Sequence, residues 1–246
     1  MELPQGEKRI GSIVLFELLG TALLCATTNI TSDPAVVACM YFVALLLTFT
    51  ITGGHLNPAL TFCVYVAEGK WKDNLQILII TWVAQIIGAF LGLELGLLLR
   101  VIYAEGDKAI PGFDIVVPPI ANTAGESYWL TVLLVEAIGT MIYAAFFLVV
   151  KKDAGDKDVV VLSFMMAAVY YGMSWISKQT SGGLLNPAIA ISTGFNSQWN
   201  YVFVGLLENP LWEYFWIAWL VGPMLGALMA PFFTRYHFDM LAKINE

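Results

Sequence analysis

The chain has 246 residues, of which 59% are hydrophobic and 13% are charged, whereas soluble domains average roughly 45–50% and about 25%. This composition excludes an ordinary soluble domain and indicates a protein that is integral to a lipid bilayer. The formal net charge is −7 and the sequence has no basic stripe, so we expect no nucleic-acid partner.

Six apolar segments are long enough to cross the hydrocarbon core, which needs about 20 residues of helix. In chain order they lie at 10–29, 35–52, 76–102, 128–150, 159–179 and 211–233. Two shorter apolar stretches, at 57–67 and 186–196, cannot span the core and are typical of re-entrant segments. The sequence therefore predicts an all-α membrane protein with six transmembrane helices and two re-entrant half-helices.

Two heptapeptides mark an internal duplication. Residues 53–59 read Gly-Gly-His-Leu-Asn-Pro-Ala, and residues 182–188, which lie 129 positions later, read Gly-Gly-Leu-Leu-Asn-Pro-Ala. A Glu-x-x-Gly-Thr motif likewise begins at Glu17 and again at Glu136. Each copy contains three spans, so the two copies are inserted in opposite directions. We therefore predict an inverted 3+3 repeat of the kind found in many transport proteins.

Positively charged residues lie mostly on one side of the predicted bundle. The side that holds both termini carries nine of them, namely Lys8, Arg9, Lys70, Lys72, Lys151, Lys152, Lys157, Arg235 and Lys243. The other side carries three, namely Arg100, Lys108 and Lys178. The positive-inside rule then places both termini in the cytoplasm. The single domain 1–246 divides into a first repeat, an external linker, a second repeat and a short cytoplasmic tail, at 10–102, 103–127, 128–233 and 234–246.

The two re-entrant segments form one inverted pair, and we expect their helix N-termini to meet near the midplane. Each N-terminus carries roughly half a positive charge. Asn57 and Asn186, at the two caps, can each present an amide N–H to a lumen, and the backbone before them supplies acceptor carbonyls. Uncharged solutes can pass along this row of donors and acceptors by hydrogen bonding, whereas cations and protons meet an electrostatic barrier.

These motifs resemble those of the aquaporin (major intrinsic protein) family over nearly the whole chain. The two Asn-Pro-Ala boxes lie at Asn57, Pro58 and Ala59 and at Asn186, Pro187 and Ala188. The resemblance implies a right-handed six-helix bundle that forms a channel, and a homotetramer with one pore in each subunit. In pores of this type the half-helix dipoles exclude protons and cations, and the resemblance implies the same barrier here.

Two glutamates lie inside predicted spans, where ionisable side chains are costly and usually face the bundle interior. Glu17 and Glu136 could serve as a proton relay or ion site, or they could accept hydrogen bonds from backbone N–H groups of the irregular loops. The resemblance favours loop support. His55 could sense pH or could be a hydrogen-bonded loop residue, and the second role is preferred because its counterpart is Leu184.

The resemblance also implies a narrow outer filter, and here the chain departs from the family. Most members place arginine directly after the second box, where this chain has Ile189. The other filter positions fall at Val37, Ser174 and Gly183, so the expected ring is wider and more apolar than a water-specific one. Lys178 lies one turn beyond Ser174, and it could supply charge at the outer mouth or could simply reach the membrane interface.

The expected function is a passive channel for water, with small neutral solutes also admitted. A short chain at 197–210, Ala190 and Trp219 resemble the water-channel branch of the family. The apolar filter favours an alternative, a broad facilitator for glycerol, urea, ammonia or hydrogen peroxide. A secondary transporter and a poorly conducting structural or junctional membrane protein also remain open.

We expect no enzyme activity and no cofactor, because the sequence offers no nucleophile–base pair and no phosphate-binding loop. The three cysteines, Cys25, Cys39 and Cys63, all lie in apolar stretches. An odd number of cysteines in such positions argues against a disulfide framework and against a metal site.

Overall fold

A computed structural model describes residues 7–31, 33–103, 128–152, 158–199 and 212–244. Within these ranges the chain forms eight helices, α1 (Glu7–Ile30), α2 (Pro34–Thr52), α3 (Pro58–Glu68), α4 (Trp71–Tyr103), α5 (Tyr128–Lys152), α6 (Val159–Ser181), α7 (Pro187–Trp199) and α8 (Trp212–Ile244). Six of them are long and apolar enough to cross a membrane, and α3 and α7 are the two short ones. The predicted linker lies outside the described residues except for Tyr103, as do Lys108, Lys157 and residues 200–210.

Two helices extend well beyond the apolar segments that predicted them, whereas the other spans differ from theirs by three residues or fewer at each end. Helix α4 begins at Trp71 rather than at residue 76, and Asp73 in its first turn interacts favourably with the positive helix terminus. Helix α8 continues from the apolar segment to Ile244, because no glycine or proline follows Pro231 to end it. Hydropathy locates the part of a helix that contacts lipid, whereas capping and helix-breaking residues determine where the helix stops.

The corresponding helices α2 and α6 begin and end in the same way. Asp33 caps α2 by accepting a 2.9 Å hydrogen bond from the backbone N–H of Ala35, and Asp158 caps α6 in the same manner. Each helix ends at a left-handed glycine, Gly53 with φ 87° and Gly182 with φ 84°. Left-handed backbone costs glycine nothing in steric terms, so the Gly-Gly pair stops each helix at membrane depth.

The packing of the helices follows the inverted repeat. In the first half α1 packs against α2 and α4, and in the second half α5 packs against α6 and α8. Helices α2 and α6 contact each other and join the halves. The half-helices cross over, since α3 packs against α8 and α7 packs against α4. Each half-helix is therefore held partly by the other half of the chain.

Glycines allow the long helices to approach closely. A Cβ atom at Gly92 of α4 would overlap the carbonyl oxygen of Ala22 on α1, and one at Gly226 of α8 would overlap that of Ala137 on α5. Lipid is as apolar as a leucine side chain, so helices in a bilayer associate through close packing rather than through the hydrophobic effect. These glycines hold α1 against α4 and α5 against α8.

Several charged and amide side chains are buried in the bundle, whereas many large apolar side chains are exposed on its surface. Glu17, Gln85 and Glu136 are completely buried, whereas large apolar side chains such as Phe164 and Ile176 are each 64% exposed. A lipid environment requires an apolar outer surface and confines ionisable side chains to the interior of the bundle. Together with the six apolar helices, this makes the protein an integral, multi-pass membrane protein.

Candidate functional site: the junction of the two half-helices

The loops that precede α3 and α7 have the same unusual backbone conformation. Positive φ angles occur at corresponding positions in the two loops, at Gly53, Gly54 and Leu56 and at Gly182, Gly183 and Leu185. The leucines have φ angles of 49° and 51°, in a region that residues with a side chain rarely adopt. Backbone of this kind persists only where its surroundings hold it in place.

Glu17 holds the first loop. Its carboxylate accepts hydrogen bonds from the backbone N–H groups of His55 and Leu56, at 3.1 and 2.7 Å, and from the Thr52 hydroxyl at 2.5 Å. A fourth bond comes from the Gln85 side-chain amide at 2.7 Å. All four groups that bond to this buried carboxylate are donors. Two of them are backbone N–H groups of the loop itself.

Glu136 holds the second loop in the same way. It accepts a 2.7 Å hydrogen bond from the backbone N–H of Leu185 and a very short one from the Ser181 hydroxyl. The Ser181 hydroxyl oxygen in turn accepts from the N–H of Gly183 at 3.2 Å, as the Thr52 hydroxyl does from that of Gly54 in the first loop. Two carboxylates on α1 and α5 thus anchor two equivalent loops.

Sequence reasoning missed the hydroxyl residues in this arrangement, although a signal was present. Thr52 and Ser181 each come directly before a Gly-Gly pair, at corresponding positions in the two halves of the chain. The indole N–H of Trp219 donates to the Ser181 carbonyl at 2.7 Å. Comparing the two halves residue by residue would have identified the hydroxyls, whereas the tryptophan contact comes from a distant helix.

The asparagines of the two boxes begin the half-helices. The Asn57 side-chain oxygen accepts from the N–H of Ala59 at 2.8 Å, and the Asn186 oxygen accepts from that of Ala188 at 3.0 Å. Asparagine is among the best helix N-caps for this reason. Pro58 and Pro187 are the first residues of α3 and α7, a position where the missing N–H is not needed.

The same two asparagines also bind the two loops to each other. The Asn57 amide donates to the carbonyl oxygen of Leu185 at 2.8 Å, and the Asn186 amide donates to that of Leu56 at 3.0 Å. Each amide group has two N–H donors, so one donor on each side chain is left after this exchange. The two half-helix N-termini therefore meet, with their positive ends and two amide donors at one place.

The predicted filter residues are all buried. Ser174 and Gly183 are in contact, because the Ser174 hydroxyl donates to the Gly183 carbonyl at 3.0 Å. Val37 on α2 and Ile189 in the first turn of α7 belong to the same buried cluster, with exposed fractions of 6% and 0%. Lys178 is half-buried in the last turn of α6, one turn beyond Ser174.

His55 faces a cation that the sequence interpretation did not connect with it. The buried His55 ring has its Nε2 atom 3.3 Å from Nζ of Lys151 at the end of α5, and its edge packs against the ring of Phe147. This contact places the end of α5 beside the loop that follows α2, as the inverted repeat requires. In the described ranges no three or more His, Cys, Asp and Glu side chains are grouped to hold a metal ion.

Replacement of Glu136 distinguishes loop support from a proton relay. Glu136→Leu leaves the N–H of Leu185 without its acceptor, so we expect a loss of about 1–3 kcal/mol in the free energy of unfolding. Glu136→Gln keeps a side-chain oxygen for that N–H but cannot carry a proton, and we expect stability and permeability close to those of the wild type. Thermal unfolding in detergent and transport in vesicles measure the two effects. A leucine variant as stable as the wild type would contradict loop support.

Comparison with known proteins gives the same architecture. Residues 9–234 match the model of the family described as Major intrinsic protein. Probable aquaporin PIP2-1 of Oryza sativa subsp. japonica is 31% identical over 204 residues, covering 80% of this chain and 62% of the rice protein. Aquaporin TIP3-1 of Zea mays is 32% identical over 188 residues, covering 76% of this chain and 60% of the maize protein. The matched region thus spans less than two thirds of the length of these relatives.

A solved structure resembles the fold closely. The X-ray structure of the aquaglyceroporin from Plasmodium falciparum covers 96% of this chain and 99% of its own, with a TM-score of 0.74 and 19% sequence identity. At that identity the likeness concerns the fold. The family model, by contrast, covers nearly the whole chain, including both Asn-Pro-Ala boxes and both anchoring glutamates. The chain belongs to the major intrinsic protein family.

Proposed function

We propose that the protein is a passive channel for water and small uncharged solutes. The observation that carries the proposal is the exchange of hydrogen bonds between Asn57 and Asn186 and the opposite loops, at 2.8 and 3.0 Å. It brings two helix N-termini together in the interior of a membrane protein. The family to which the chain belongs, and relatives named as aquaporins, support the same function.

The junction explains how a solute is selected by charge. A water molecule or a small alcohol can accept a hydrogen bond from the free amide N–H of each asparagine. A cation or a proton, in contrast, approaches two positive helix ends of roughly half a charge each in a medium of low dielectric constant. Such a field raises the energy of positive charge without binding neutral solutes tightly, so that water passes and ions do not.

The ring formed by Val37, Ser174, Gly183 and Ile189 is proposed as the outer filter. Its one hydroxyl, that of Ser174, already donates to the Gly183 carbonyl, so the ring offers a passing solute few donors. A filter of this composition discriminates by size and by the cost of wetting rather than by hydrogen bonding. Lys178, one turn further out, is proposed as the positive charge of the outer mouth.

The proposed orientation has both termini in the cytoplasm. The Lys151–His55 contact of 3.3 Å supports it, because it places the basic end of α5 on the same side as the loop after α2. Lys70, directly before α4, lies on that side as well in the predicted topology, as the positive-inside rule expects. We propose a homotetramer with one pore in each subunit, by analogy with the family.

Purified protein in proteoliposomes tests the channel function. After a hyperosmotic step, we expect vesicles that contain the protein to shrink faster than empty vesicles, with a lower activation energy, because water crosses through a pore rather than through lipid. Stopped-flow light scattering measures the rate. Saturable uptake that depends on an ion gradient would instead indicate a transporter, and shrinkage at the rate of empty vesicles would contradict the proposal.

The position of Ile189 tests the placement of the filter. Ile189→Arg adds bulk and a hydrogen-bond donor at the outer ring. We therefore expect glycerol permeability to fall by about tenfold relative to water permeability, which is near the lower end of the selectivity that one contact in a binding pocket provides. Ile189→Leu keeps the volume without the charge and serves as the matched control. The ratio of the two permeabilities is measured in the same vesicles, and an unchanged ratio in the arginine variant would show that the filter lies elsewhere.

A further inference from the structure

Three buried tyrosines meet at the centre of the helix bundle. Tyr41 lies on α2, Tyr143 on α5 and Tyr170 on α6, and each is at most 2% exposed. All three lie in the middle turns of helices that cross the membrane. No sequence motif predicts that the three rings meet, because they come from three helices that are far apart in the chain.

The three rings are in mutual contact. The centroid of the Tyr170 ring is 5.1 Å from that of Tyr41 and 5.6 Å from that of Tyr143. The Tyr41 and Tyr143 rings are 6.2 Å apart, nearly perpendicular, and their hydroxyls share a very short hydrogen bond. These separations are those of directly packed aromatic side chains.

Two of the tyrosines lie on the helix faces that carry the proposed filter. Tyr41 comes four residues after Val37 on α2, and Tyr170 comes four residues before Ser174 on α6. Residues four apart share one face of a helix. Both tyrosines therefore lie one helical turn further into the membrane than the proposed filter, on the same helix faces as Val37 and Ser174.

The internal repeat relates Tyr41 to Tyr170. They are separated by 129 residues, as Asn57 and Asn186 are, so they occupy equivalent positions in the two halves. A pair related in this way and in direct contact lies on the approximate two-fold axis that also relates the asparagines. Tyr143 has no tyrosine as its counterpart. Glu17 and Glu136 are 119 residues apart, and the same separation relates Tyr143 on α5 to Leu24 on α1.

We infer that Tyr41, Tyr143 and Tyr170 occupy the lumen of the channel and close it, so that these rings, rather than the outer filter, limit conductance. The inference rests on the proposed function. Water then passes only when the rings move apart. The closed arrangement shown here is held by the bond between the Tyr41 and Tyr143 hydroxyls and by the ring contacts of Tyr170.

The hydroxyl groups argue against a role in packing alone. A buried polar group at membrane depth is costly unless it is hydrogen-bonded, and phenylalanine would fill the same space without that requirement. Tyrosine is suited to a site that is dry when closed and wet when open. The hydroxyls of Tyr41 and Tyr143 bond to each other in the closed form and can bond to passing water in the open form.

Removal of one ring tests the inference. Tyr143→Leu introduces the residue that α1 has at the equivalent position, Leu24, and removes both a ring and the hydroxyl bond. In proteoliposomes we expect the osmotic water permeability per protein to rise by about tenfold over that of the wild type. Tyr41→Leu should raise it as well, and Tyr143→Phe, which keeps the ring, should raise it less than Tyr143→Leu.

Tyr171→Leu is the matched control, because Tyr171 is the next residue on α6 and is 40% exposed on the outer surface, so its variant should conduct like the wild type. The inference is wrong if the wild type conducts and both leucine variants at Tyr41 and Tyr143, eluting as the wild type does in size exclusion, conduct no faster. It is also wrong if ion leak rises together with water flux, because the asparagine junction is unchanged in these variants and should still exclude ions. Should none of the proteins conduct, the channel function itself fails, and the two failures are thereby distinguished.

Discussion

Water is absent from the hydrocarbon core, so every backbone polar group at that depth must be hydrogen-bonded by the protein. Two loops of this chain are non-helical where α2 and α6 end, and each contains a leucine in a left-handed conformation. The solution is reciprocal, because Asn57 bonds to the carbonyl of Leu185 and Asn186 bonds to that of Leu56. Neither loop has its hydrogen bonds complete without the other half of the chain.

This constraint also accounts for the buried charges. Glu17 and Glu136 would be costly in lipid, but they accept hydrogen bonds from the backbone of the two loops. Once both loops are held, the half-helices point their positive ends at each other, and one amide donor of each asparagine is left for a solute. The barrier to cations proposed for the pore thus arises from the same contacts that make the loops possible at membrane depth.

Much of this arrangement was predictable because it is local and repeated. The Gly-Gly and Asn-Pro motifs placed the start of each half-helix to within one residue, since capping and proline geometry depend on neighbouring residues. The length of α8 was not predictable from hydropathy. The contacts among Tyr41, Tyr143 and Tyr170 were missed because they depend on how three separate helices pack. The 129-residue repeat marks Tyr41 and Tyr170 as equivalent positions but does not predict that their rings touch.

A double-mutant cycle between Asn57 and Asn186 tests the interlocking of the loops most directly. Asn57→Ser and Asn186→Ser keep a good helix N-cap but remove the amide that reaches the opposite loop. If the loops support each other, losing one of the two bonds already frees the partner loop. The loss of unfolding free energy in the double variant should then differ from the sum of the two single losses by roughly 0.5–3 kcal/mol in detergent. Strictly additive losses would show that each loop is held independently, and would contradict the account of the junction as one unit.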